Sequence, residues 1–87
     1  MENCNLTFSE KAIIEDNIAK RLEDRIDYDL QQKLEKIHYI LKAGADVQFN
    51  YSQRIVIIQQ LELLLETKLE PDYEEKIKKI IKKLEDF

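Results

Sequence analysis

The sequence has one glycine, one proline, one cysteine and no tryptophan in 87 residues. All-β folds need a turn signal roughly every ten residues, and this chain cannot supply them. It is therefore expected to be helical. The lone cysteine, Cys4, excludes an internal disulfide and suits a reducing compartment. The longest uninterrupted apolar run, at Ile55-Val56-Ile57-Ile58, is four residues, far short of the ~20 that cross a bilayer. No charged start is followed by an apolar stretch and a small-residue cleavage site. A cytoplasmic protein with no membrane association and no secretory leader is the expectation.

An excess of basic residues is also missing. The formal net charge is −4, which favours solubility and works against non-specific binding to nucleic acid. The negative excess lies within residues 1–70, while the stretch from Pro71 to Phe87 is neutral with five lysines.

What the chain has is apolar and charged residues, 44% and 37% of the total. That composition is neither disordered nor membrane-like. A single domain over residues 1–87 is expected, of a size that buries about 60–65% of the surface its unfolded chain exposes. Six glutamines and four asparagines argue against a thermophile, despite abundant Ile, Lys and Glu. An AT-rich mesophile or its virus is the plainer source.

Residues 1–8 read as a polar lead that ends in a capping box, with Thr7 and Glu10 at the required spacing. From there no helix breaker occurs until Gly44. The stripe Ala19, Leu22, Ile26, Leu30, Leu34, Ile37, Leu41 has separations of 3, 4, 4, 4, 3 and 4 residues, which keep one face of a nearly straight helix apolar. Phe8, Ala12 and Ile40 fall on the same arc. The stripe predicts one helix over about 9–42, roughly 50 Å long at 1.5 Å per residue. The alternative is a break at Asp27-Tyr28-Asp29, with Asp29 as N-cap and Gln32 at the capping-box position. Ile13, Ile14 and Ile18 point away from the stripe and need cover of their own.

Gly44 is placed to end that helix in the left-handed conformation, and the loop runs on to Phe49. Asn50 and Gln53 again have capping-box spacing, opening a central helix over about 51–68. Its polar strip is only Gln59, Glu62 and Glu66, with Ile55 among them. A helix so apolar must be wrapped by neighbours, and Leu61 and Leu64 sit near the middle of its apolar arc. Pro71 stops this helix and suits the first position of the next. The last helix, about 71–86, carries Tyr73, Ile77, Ile80, Ile81, Leu84 and Phe87 on one side. The fold class is all-α, a small antiparallel bundle of three helices, or four if the first breaks near Asp29.

No residue pattern specifies catalysis. Carboxylates crowd the first helix, and Glu35 with His38 matches the local spacing of carboxylate-bridged metal bundles. A second copy is missing, and intrahelical pairs such as Lys20–Asp24, Arg21–Asp24 and Arg25–Asp29 explain the same residues. His38 has no Ser or Cys partner that any spacing brings near, and Cys4, in the N-terminal lead, reads as an incidental thiol and not a nucleophile. The sequons Asn5-Leu6-Thr7 and Asn50-Tyr51-Ser52 coincide with helix starts, where capping explains them. The lysines of residues 76–84 resemble a basic amphipathic helix, yet Glu74, Glu75, Glu85 and Asp86 cancel their charge. A helix-turn-helix reader would need more than Arg54 after the turn. No cofactor and no metal is expected.

The excess of apolar helix face over what one short chain can cover points to non-catalytic protein–protein interaction. The expected protein is a small acidic regulator, inhibitor or adaptor that occupies a larger partner, itself a homodimer. Anti-host factors of viruses, antitoxins and immunity proteins share this size and acidity, by analogy alone. The expected interface residues are Ile13, Ile14, Ile18, Tyr28, Phe49, Tyr51, Val56 and Leu63. The alternative is a transcription or replication accessory that touches nucleic acid through the lysine-rich last helix. A dimeric carboxylate–His metal enzyme ranks third.

Overall fold

The computed structural model describes residues 6–43 and 49–85. Cys4, Asn5, Gly44, the start of the following loop, Asp86 and Phe87 lie outside the described residues. Four helices follow one another: α1 (Phe8–Leu22), α2 (Tyr28–Ala43), α3 (Tyr51–Leu65) and α4 (Pro71–Glu85). No strand occurs among the described residues.

Both capping boxes form. Thr7 Oγ1 accepts the Glu10 N–H at 3.1 Å, and Glu10 Oε1 accepts the Thr7 N–H at 2.8 Å. At the head of α3, Asn50 Oδ1 accepts the Gln53 N–H at 2.8 Å and Gln53 Oε1 accepts the Asn50 N–H at 3.0 Å. Each box satisfies two donors that a helix start otherwise leaves open. Pro71 is the first residue of α4, where its missing N–H costs nothing. The central helix is shorter than its sequence pattern suggests and ends at Leu65. Its last turn tightens through Glu66 N–H to Leu63 and Thr67 N–H to Leu64 (3.2 and 3.0 Å), and the Thr67 hydroxyl also donates to the Leu64 carbonyl at 2.7 Å.

The long first helix does not exist. It breaks over residues 23–27, so the described residues form four helices rather than three. Glu23 and Asp24 close α1 with short-range bonds to the carbonyls of Lys20 and Arg21, and the Asp27 carbonyl opens α2 by accepting the Gln31 N–H at 2.8 Å. The break falls just before the Asp29 cap suggested by spacing. Asp24, Asp27 and Asp29 are poor interior helix residues because their side chains compete for nearby backbone groups. The stripe keeps its phase through Leu22, Ile26 and Leu30, all half-buried around the turn, because the two arms share one core. A 50 Å rod would overrun a molecule whose longest extent is 32 Å.

Breaking the helix also changes which face of α1 points inward. Phe8, expected on the inner arc, is 88% exposed, and Ala12 is exposed as well. Ile14 and Ile18 are fully buried in their place. Two isoleucines remove far more apolar area from water than the alanines of the predicted stripe. They join Leu34, Ile37 and Leu41 of α2, Val56, Ile57, Ile58 and Leu61 of α3, and Ile77, Ile80, Ile81 and Leu84 of α4 in one core. α3 packs against each of the other three helices, most extensively α4, and α1 also packs on α2.

Leu61 is fully buried, whereas Leu64 is only half-buried. Leu61→Ala should therefore cost on the order of 2–5 kcal/mol, out of the roughly 5–15 kcal/mol of a typical domain. Leu64→Ala should cost clearly less. Urea unfolding of the two variants checks the order.

Candidate functional site

An exposed aliphatic side chain lies where the C-terminal halves of α1 and α3 meet. Leu63 is 47% exposed there, and it borders two shallow depressions. One, of about 270 Å³, is edged by Asn17, Lys20, Arg21 and Asp24 against Leu64 and Thr67. The other, of about 350 Å³, is edged by Leu30, Gln59, Glu62 and Glu66. Arg21, Gln60 and Leu63 line both. The polar strip of α3 and its apolar arc meet at this point. Leu63 lies four residues after Gln59 and three before Glu66, so it shares their face of the helix.

Charges edge this region. Lys20 Nζ stands 3.3 Å from Asp16, and Arg21 Nη1 stands 3.6 Å from Asp24. Arg21 Nε is buried without a hydrogen-bond acceptor. A third shallow depression, of about 290 Å³, lies on the outer side of α2 between Gln32, Glu35, Lys36, Tyr39 and Ile40, reaching Gln53 of α3.

The expected interface residues separate into three groups. Ile14, Ile18, Val56 and Phe49 are buried within this one chain, so they hold the fold and present no free face. Ile14 and Ile18 find their cover from within the chain, since α1 packs on both α2 and α3, and Phe49 plugs the core just ahead of α3. Ile13 is half-buried. Tyr28 and Tyr51 are 73% and 66% exposed, and with Leu63 they are the members that reach solvent. Tyr39 and Phe8, also exposed, were not singled out from the sequence. Phe8 was assigned to the inner arc of a continuous helix, and the break at residues 23–27 released it, whereas Tyr39 lies off that stripe.

Two polar links tie α1 to α4. Asn17 Nδ2 donates to the Tyr73 hydroxyl at 3.3 Å and to the Ile13 carbonyl at 2.8 Å. Lys83 Nζ lies 2.8 Å from the Glu10 oxygen that also caps Thr7. Burial pushes the Glu10 carboxyl up, but the Lys83 ammonium and the Thr7 N–H and hydroxyl outweigh it and hold the group below its ordinary value. His38 Nε2 lies 3.7 Å from Glu15 on α1 rather than beside Glu35. Among the described residues, no group of three or more His, Cys, Asp or Glu is arranged to hold a metal ion. No described helix is long and apolar enough to cross a membrane.

Comparison with known proteins finds no matching family model, no matching curated protein and no matching solved structure.

The lowered Glu10 carboxyl makes its pairing with Lys83 pH-dependent. Its contribution is present above the ordinary carboxylate value of 4.5 and is lost as pH falls through the lower folded-state value. Glu10→Gln keeps a capping side chain but removes the charge. At neutral pH it should destabilise the protein by about 1 kcal/mol. That difference should shrink as acid denaturation approaches, which denaturant melts across pH will show.

Proposed function

We propose that the protein is a non-catalytic protein-binding module, a small acidic regulator, inhibitor or adaptor of the cytoplasm that acts by occupying a surface on a larger protein. Its four helices are read as a small antiparallel bundle, and self-association is part of the proposal. The observation that supports it most is the exposure of large aromatic side chains, Phe8, Tyr28, Tyr39 and Tyr51, on a chain with an otherwise well-filled core. Aromatic rings anchor interfaces because they bring large area at low rotamer cost. The lysines of α4 are less suited to nucleic acid, since Lys78 and Lys83 already pair with Glu74 and Glu10.

Affinity capture from the native cell with wild type and with Tyr28→Ala/Tyr51→Ala tests this reading. The double variant should lose the captured protein while its thermal midpoint stays within about 3 °C of wild type. Undiminished capture, or a melting loss as large as that of Leu61→Ala, would overturn it. A mobility shift of DNA or RNA at physiological salt and submicromolar protein would move the assignment to nucleic acid. Phe49→Ala, by contrast, should destabilise by about 3–5 kcal/mol because the ring is in the core.

A further inference from the structure

We infer that Leu63 and the charges flanking it form a two-fold self-association surface whose occupant is a second copy of this chain. The inference rests on the reading of the protein as a self-associating module and gives that association its surface. Among the described residues no other large aliphatic side chain is exposed to the degree of Leu63. Next to it, one depression carries Lys20 and Arg21 of α1 with Asp24, and the other carries Glu62 and Glu66 of α3 beside the same Arg21. A patch with a basic flank and an acidic flank is complementary to itself after a two-fold rotation. Each copy's Lys20 and Arg21 then face the other copy's Glu62 and Glu66, and each Leu63 lies against the floor that Arg21 and Gln60 provide.

A partner of a single charge sign would meet like charge on one flank. A second copy does not. Asp16 and Asp24 already neighbour Lys20 and Arg21, but the first pair is exposed and the second is half-exposed at 3.6 Å, so both contribute little and yield to intermolecular ones. With one aliphatic anchor per copy, the dimer is a reversible one in the micromolar range, not an obligate one.

Sedimentation over a concentration series tests the surface. Wild type should show a monomer–dimer equilibrium that weakens with added salt. Leu63→Lys, and Leu63→Ala as a milder control, should raise the dissociation constant, the former at least about tenfold, with the thermal midpoint retained. Lys20→Glu/Arg21→Glu and Glu62→Lys/Glu66→Lys should each weaken self-association alone. Mixed in equal amounts they should form a heterodimer, because one half of the interface is then native and the other is reversed in sign on both sides. Failure of the folded pair to associate on mixing, or a wild-type constant for Leu63→Lys, would overturn the surface. Wild type that still dimerises in those cases keeps the self-association reading, whereas wild type that is monomeric at about 1 mM removes both.

Discussion

A helix that is apolar round most of its circumference has to be enclosed, and α3 imposes that requirement on the rest of the chain. Val56, Ile57, Ile58 and Leu61 are buried and Ile55, Leu64 and Leu65 partly so, which leaves Gln59, Glu62 and Leu63 as the part of α3 open to water beyond its first turn. Enclosing a helix of 15 residues takes neighbours of its own length on three sides. α1, α2 and α4, of 15, 16 and 15 residues, provide them. A first helix running unbroken to Lys42 would have covered α3 with half its length and left the other half exposed. The break between α1 and α2 thus follows from the burial of α3 more than from any strong local stop signal.

The seams differ in chemistry according to what remains after that enclosure. α4 is sharply one-sided, with Ile77, Ile80, Ile81 and Leu84 inward and Lys76, Lys78, Lys79 and Lys82 outward, and it packs mainly on α3. Its link to α1 is polar. Asn17 reaches Tyr73, and Glu10 reaches Lys83. Because one Glu10 oxygen serves both the Thr7 cap and the Lys83 ammonium, the start of α1 and the last turn of α4 are fixed by the same charge. A directional contact of this kind sets the position of a helix that apolar packing alone leaves free to slide.

The sequence carried the all-helical class, both capping boxes, the Pro71 start and the core face of α4, because each is written in neighbouring residues. Thr7 with Glu10 and Asn50 with Gln53 need only a spacing of three. The break was less legible. Periodicity records which residues share a face, and Ala19 to Leu41 share one whether the helix is straight or folded back on itself. The same ambiguity hid the inward face of α1. Ile14 and Ile18 looked surplus against a continuous stripe, and once the helix is cut they are its core. Much of the apparent excess of apolar face was therefore intrachain cover in a four-helix arrangement that the longer helix had obscured.

That revision narrows where association can occur. Removing Ile14, Ile18, Val56 and Phe49 from the surface leaves isolated aromatic rings and one leucine. A single exposed leucine is ordinary on a folded protein, and Leu63 would carry little weight by itself. Its setting is what matters. It borders the polar strip of Gln59, Glu62 and Glu66, on the side of α3 that its three neighbours leave open, and it stands beside the α1 cations. A side chain left 47% in water gives the fold about half of what the fully buried Leu61 gives it. Core and association surface therefore draw on different residues of the same helix, separated by only two positions along the chain and by about 160° around its axis.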